Sequence, residues 1–344
     1  MQVELSDIAL ELRHPVMTSR GIITQRDGIR VAVTGDGCTG WGEAMPLPGW
    51  PGADLPAARR ALAAWAADPD PQNLPPERFA RAAVELALLD WEARRRGCTQ
   101  AEVLAAGGAV AESVGLNALV RDPKEAAAAV AAGFDTVKLK VGTACVEDDL
   151  AMVGAVREAT GGAARLRLDA NGAWTMTQAV AVLARLEQYG IEYVEEPVAG
   201  LTALSRVAER SPVPVAADES LGFAGIPVAA DESLGFAGIP VAADESLGFA
   251  ATSVPESIPV LVIKPMALGG PRTAHAAACR WIQQGRKVVI TNYLDSAIGQ
   301  HAALSVAAAL PGPRQVHGTI TPALFTRDTT DLPAVTTGHV FLMC

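Results

Sequence analysis

Five short apolar runs that break off in charge constrain the fold of this chain more than any other feature. They are Thr136–Lys140, Leu166–Asp169, Ile191–Glu195, Pro214–Asp218 and Val260–Lys264. In a parallel α/β protein the carboxyl ends of the strands gather at one face, so charges far apart in sequence converge there. Further strands are expected near 114–119 and 287–291, with helical spacing over 148–160, 175–189 and 272–284. Strand–helix alternation at this interval predicts a parallel sheet, and the number of units favours closure into a barrel.

The first 45 residues read differently. They alternate and turn like a three-stranded antiparallel sheet, with Asp27-Gly28 and Gly35-Asp36-Gly37 as turn signals. Helices are expected over 53–67 and 76–97. The partition is therefore an α+β unit over 1–110, completed by about 325–344, and a barrel over 111–324. The tail 333–342 is expected to pack on the N-terminal sheet.

With 344 residues, half of them apolar, the chain can bury a large core. A net charge of −10 argues against nucleic acid or an anionic membrane as partner. The acidic, alternating start fits neither a signal nor a transit peptide, and the longest apolar stretches, alanine-rich, are shorter than a membrane span. A cytoplasmic location and a small-molecule partner are expected; oligomeric state is not legible. Cys38, Cys98, Cys145, Cys279 and Cys344 have no paired spacing, so no disulfide framework or zinc site is indicated.

One region breaks the pattern. Pro214–Ile226 is repeated without change as 227–239, and again from Pro240 to Ala250. Only one copy can fill one strand slot, which leaves 26 residues as an insertion. The outer copies are the contenders. Asp218 follows Glu195, and Asp244 precedes Lys264, at spacings that suit one intervening helix. Placing the extra residues before the strand keeps them off the active-site face, which favours Asp244.

The chain has only five lysines against 23 arginines, and Lys138, Lys140 and Lys264 stand at strand ends. A lysine is pushed toward neutrality far more readily than an arginine, so these are candidates for proton transfer. Asp169, Glu195 and Asp244 (or Asp218) offer three hard oxygen ligands without accompanying His or Cys, which suits Mg2+. Such an ion binds a substrate carboxylate and stabilises the enediolate formed when a proton leaves the α-carbon, with Lys140 and Lys264 flanking that carbon. Strand alternation turns Lys138, Lys140, Arg167 and Asp169 into the barrel. Lys138 and Arg167 are either substrate ligands or interior ion-pair partners. Asn292, Asp295, Ser296 and Gly299 either meet substrate or cap the next helix. Glu196 and Glu219 read as groups that support the ligands or cap a helix. The run Gly35–Gly40 matches a dinucleotide fingerprint on paper, but the prolines that follow deny it a helix.

Together Gly40–Glu43, Lys138–Gly142, Leu168–Gly172, Val194–Pro197, the Ala-Asp-Glu-Ser of the repeat, Ile263–Pro265 and Gly269-Gly270 resemble the enolase superfamily in its muconate-lactonizing subgroup. The resemblance spans nearly the whole chain and implies a (β/α)7β TIM-like barrel with an α+β N-terminal capping domain. It implies Mg2+ on Asp169, Glu195 and the repeat aspartate, with Lys140 taking the α-proton and Lys264 on the opposite face. Among the subgroup's reactions it points to syn-dehydration of 2-succinyl-6-hydroxy-2,4-cyclohexadiene-1-carboxylate, a step of menaquinone biosynthesis. The succinyl end would meet the loop around 295–299, and a cap segment Ser19–Ile22 would close the pocket. Racemisation of N-succinylamino acids uses the same groups. The triplication is foreign to the family, so an impaired or non-catalytic barrel is a further alternative. The segment His317–Thr321 lacks the paired aspartates of dipeptide epimerases.

Overall fold

The computed structural model describes residues 1–18, 21–50, 52–143, 145–223, 254–321 and 324–341. Strands β1 (Gln2–Thr18), β2 (Gly21–Gly35) and β3 (Cys38–Ala44) form an antiparallel sheet. The β2–β3 turn falls where the sequence signals it, with Asp36 and Gly37 at φ 50° and 76°. The other turn signal is overturned: Gly28 lies within β2, paired with Ile8. Its glycine is needed for close approach, because a Cβ there would come within 2.8 Å of the Ala44 carbonyl.

Helix α1 (Leu55–Ala67) is capped by Asp54, and α2 (Arg78–Arg96) starts at a Glu77 cap and ends at left-handed Gly97. A short α3 (Gln100–Ala105) carries a Thr99/Glu102 capping box. Helix α2 lies directly on β3. A Cβ on Gly40 would fall 2.2 Å from the Ala87 carbonyl, and one on Gly42 2.0 Å from that of Ala83. Both obstacles are backbone and cannot swing aside. Gly42→Ala is therefore expected to destabilise the fold by about 2–3 kcal/mol. Urea denaturation checks this; an unchanged midpoint would show that helix and sheet can separate freely.

The remaining chain alternates. In order come β4 (Ser113–Leu116), β5 (Ala118–Val120), α4 (Pro123–Ala131), β6 (Thr136–Lys140), α5 (Val146–Thr160), β7 (Arg165–Asp169), α6 (Met176–Leu186) and β8 (Ile191–Glu195). Then follow α7 (Leu201–Ala208), β9 (Val215–Ala217), α8 (Glu219–Phe223), β10 (Val260–Ile263), α9 (Pro271–Gln283), β11 (Lys287–Ile290), α10 (Ala297–Ala309) and β12 (Val316–His317). Strands β5 to β11 make one seven-stranded sheet in chain order, and every described pairing in it is parallel. Its edges are drawn together: Gly318 N–H donates to the Ile290 carbonyl at 2.9 Å, and β12 pairs with β4. The architecture is of the TIM-barrel class with an α+β unit ahead of it.

Alternation sorts the barrel residues into two sets. Val137, Leu139, Leu166, Leu168, Leu261 and Ile263 are at most 2% exposed and pack outward on the helices, each contributing about 1.5–3 kcal/mol of burial. Tyr193, Ala216, Val260, Val262 and Val289 form a separate cluster. They occupy the inward positions, in step with the charged residues of β6 and β7.

Two expectations fail here. The slot between β8 and β10 is filled by the first repeat copy, since Val215 pairs with Val194 and Ala216 with Val260. Asp218 therefore stands at that strand end, whereas Asp244 lies outside the described residues. A slot hydrogen-bonded on both sides admits no second strand, and Val215–Ala217 is wholly buried in it. The C-terminal stretch also divides. Residues 324–326 join the N-terminal sheet through Arg13 N–H to the Leu324 carbonyl and Thr326 N–H to that of Glu11. Strands β13 (Val335–Thr336) and β14 (His339–Phe341) instead join β4, with Val340 buried in the barrel core.

Candidate active site

Parallel register puts the charges side by side. Lys140 on β6 is opposite Asp169 on β7, Asp169 is opposite Glu195 on β8, and Glu195 is opposite Ala216 on β9, two residues before Asp218. Lys264 follows β10. Lys138 Nζ sits between two carboxylates, 2.7 Å and 2.8 Å from the Glu195 oxygens and 3.0 Å from Asp169 Oδ2. Lys140 Nζ is 3.2 Å from the same Asp169 oxygen and donates to Asn171 Oδ1 at 2.6 Å. Lys264 donates to both Asp218 oxygens.

These contacts govern protonation. Burial opposes charge on Asp169, yet Lys138 and Lys140 outweigh it and hold the carboxyl well below the usual range. Burial likewise works against the Lys138 ammonium, and Asp169 and Glu195 reverse that, raising it well above an ordinary lysine. Asp218 goes the other way: burial, then the neighbouring Glu219 carboxylate, raise its carboxyl well above normal against the pull of Lys264. Crowded negative charge at Asp218 is the condition that a bound cation relieves.

The three carboxylates are all-oxygen donors from three adjacent strands, which is the donor set a hard divalent ion takes. Among the described residues, no three acidic, His or Cys side chains stand in a ready-made cage. The Lys138 nitrogen lies between two of the carboxylates and the Lys264 nitrogen sits on the third, as cations of the kind the site attracts.

The strand ends are braced from behind. Glu196 takes the left-handed conformation at φ 44° and accepts from Asp218 N–H at 2.9 Å and from Ser220 N–H at 3.2 Å. Strain of this kind persists only where surroundings over-determine it. Burial lifts the Glu196 carboxyl to about 7. Asn171, also at positive φ, links Lys140 to Glu219, 3.0 Å from its own amide nitrogen. Its position inside the Leu168–Gly172 motif was the available signal.

Arg167 is fully buried. It pairs with Glu192 at 2.6 Å, donates to Asn117 and to the Val316 carbonyl, and lies over the Tyr193 ring at 4.9 Å. Arg167 thus makes an interior ion pair, and Lys138 is engaged with the two carboxylates. A bulge where β8 meets β7 brings both Glu192 and Tyr193 onto Arg167.

Ser296 and Gly299 are buried at the seam with the N-terminal unit rather than open to the mouth. Glu43 Oε1 accepts from Ser296 N–H at 3.0 Å and Gly299 N–H at 3.1 Å, capping α10 from across the interface. A Cβ on Gly299 would meet Glu43 at 2.7 Å. Asn292 ties the turn after β11 to β12, donating to the Gly318 carbonyl and to Thr321 Oγ1. Of the two alternatives for Ser296 and Gly299, the helix cap is the one visible at this seam, where the helix-end amides meet the buried Glu43 carboxyl. Arg26 completes it, fully buried, donating to the carbonyls of Leu294 at 3.1 Å and Pro46 at 3.0 Å. Sequence reasoning missed Arg26, and saw Glu43 only as part of a motif. Of the cap segment 19–22, residues 19 and 20 lie outside the described residues.

Burial, reinforced by Asp295, pushes the Glu43 carboxyl up to about 8 from an ordinary 4.5. The folded protein thus keeps a proton that the unfolded chain has released, so this group's stabilisation is complete below about pH 4.5 and is lost as pH rises through 8. Glu43→Gln is expected to flatten the fall in stability between pH 5 and 8, as about one proton's worth of linkage. Denaturation midpoints across that range test it; an unaltered slope in the variant would place the proton elsewhere.

A cavity of about 30 Å3 opens beside Lys264 and Asp218, walled by Tyr293 and by Trp50 and Arg78 of the N-terminal unit. The described cysteines 38, 98, 145 and 279 are free thiols.

This chain belongs to the enolase superfamily, in its muconate-lactonizing subgroup. A family model described as Enolase C-terminal domain-like matches residues 122–225. An o-succinylbenzoate synthase of Thermobifida fusca (strain YX) is 31% identical over 325 residues, spanning 93% of this chain and 82% of that protein. The substrate-liganded L-Ala-D/L-Glu epimerase from Bacillus subtilis superposes with TM-score 0.80 at 24% identity, over 100% of this chain and 96% of that one. The N-succinyl Arg/Lys racemase from Bacillus cereus ATCC 14579 does so at 0.79 and 22%, over 99% and 92%. These two likenesses speak for the fold. The protein is an enzyme of the lyase and isomerase kind found in this superfamily. Among the described residues no helix is long and apolar enough to cross a membrane.

Proposed function

We propose that this protein is an o-succinylbenzoate synthase, a cytoplasmic enzyme that dehydrates 2-succinyl-6-hydroxy-2,4-cyclohexadiene-1-carboxylate. The observation that carries the reading is the placement of Lys140 and Lys264. Three strands separate β6 from β10, so the two amines reach the same mouth from opposite sides with Asp169, Glu195 and Asp218 between them. Similarity to the Thermobifida fusca synthase over most of both chains supports it.

Asp169, Glu195 and Asp218 are the residues that would hold Mg2+, with Lys138 keeping the first two in position. Bound there, the ion supplies positive charge for the enediolate that forms from the substrate carboxylate. Lys140 takes the proton from the α-carbon. Lys264, from the other face, stabilises the negative charge left on the carboxylate oxygens. The C6–oxygen bond then breaks, and the departing hydroxide takes the proton back from Lys140 as water, leaving an aromatic ring. One base on one face serves both steps, which makes the elimination syn.

The same pair of amines suits a second reading. Racemisation of an N-succinylamino acid needs proton removal by one lysine and return by the other, and the racemase from Bacillus cereus shares this fold. Purified protein with Mg2+ and each substrate decides. Aromatisation of the cyclohexadiene, followed by ultraviolet absorbance, is expected; racemisation of N-succinyl amino acids with no attack on the diene would overturn the proposal.

A further inference from the structure

At the amino-terminal end of the barrel a second cavity, about 560 Å3, lies among the starts of β4, β7, β11 and β12. Small-molecule sites typically occupy about 300–1,000 Å3. Arg165, Arg286, Lys287 and Arg314 line it, with Asp135 the one carboxylate among the described residues. In a chain of net charge −10, this surplus of positive charge on one concave surface is the reverse of the average.

Among the described residues most of that charge has no acidic partner. Arg286 is buried and donates to the carbonyls of Pro255, at 2.8 Å, and Ile258, so its position is fixed by neutral groups, and it makes no ion pair among the described residues. Arg314 donates to the Ser113 carbonyl at 3.0 Å, again a neutral partner. Arg165 alone pairs with Asp135, at 2.7 Å. Lys287 is exposed and makes no ion pair among the described residues.

Lys287 is also one of only five lysines, three of which stand at the catalytic mouth. Two positions before inward-facing Val289, it points to the barrel axis at the opposite end. Gly115 keeps the wall open: a Cβ there would sit 3.3 Å from Val316 and 3.5 Å from His339. Arg165 and Asp169 are four residues apart on β7, so the two mouths are separated by roughly 13 Å of strand. Low-dielectric walls lined by one sign of charge concentrate counter-ions.

We propose that this amino-terminal mouth binds a compact anion bearing two or more negative charges, carboxylate or phosphate, independently of the catalytic mouth. Lys287 and Arg314 make the direct contacts, and fixed Arg286 supplies field. The test uses the full chain, free of metal, at constant ionic strength, with inorganic pyrophosphate and citrate as probes. A saturable rise in Tm with a dissociation constant below about 1 mM is expected, and it persists in Lys140→Ala. Lys287→Gln with Arg314→Gln should weaken binding by about tenfold or more, as expected for losing charge-assisted contacts, while turnover stays unchanged. Both side chains are exposed, so the double variant is expected to fold, and its Tm without probe verifies this. A response to pyrophosphate alone assigns a phosphate ligand, and one to citrate alone a polycarboxylate. No saturable response to either, an equal response in the double variant, or loss of binding in Lys140→Ala overturns the proposal.

Discussion

Replacing Lys140 with alanine is expected to lower kcat on the order of 10³-fold, the usual worth of a positioned general base that acts twice in one turnover. The folded state should hardly notice. The Lys140 side chain is 43% exposed, and its contact with Asp169 duplicates one that Lys138 already makes at 3.0 Å. Loss of such a half-exposed pair changes stability by less than about 1 kcal/mol. Lys140→Arg is the sharper control, because it keeps the positive charge but does not release a proton at working pH. Both variants should bind Mg2+ as the parent does. Steady-state kinetics on the cyclohexadiene acid, with calorimetric Mg2+ titration beside it, provide the measurement. A kcat within tenfold of the parent in Lys140→Arg would remove this amine from proton transfer.

The second large effect separates two aspartates of identical local sequence. Asp218→Asn is expected to weaken Mg2+ binding and reduce turnover by on the order of 10²–10³-fold, because a neutral amide replaces one of three anionic ligands. Asp244→Asn should leave both unchanged. The distinction rests on the slot: β9 carries Asp218 to the strand end beside Lys264 and Glu195. Removing residues 224–249 leaves 318 residues and joins Phe223 to Ala250, which restores a single copy. That shortened chain should keep activity within a few-fold and gain about 1 kcal/mol from the shorter loop. Equal losses in the two single variants would mean that the copies exchange in the slot.

Much of the site was legible because it depends on local periodicity. Charges closing apolar runs must lie at strand ends, and period-two alternation turns Lys138, Lys140, Arg167 and Asp169 to one side. The seam was not legible. Glu43 reaches Ser296 across 253 positions, and Arg26 reaches Leu294 across 268. Neither contact leaves a periodic trace, so Ser296 and Gly299 looked as much like substrate ligands as like a capped helix end. Gly28 misled for a related reason: close packing on Met45 and Ala44 demands glycine as firmly as a turn does.

The amino-acid order alone determined the alternating barrel, the charges at its strand ends and the family, since each is written in short-range spacing and residue type. Which repeat copy enters the sheet, what the tail of the chain pairs with, and how the N-terminal unit grips the barrel were decided only in three dimensions. Identical segments have identical propensities, and hydrogen bonds to both neighbouring strands are what tell them apart.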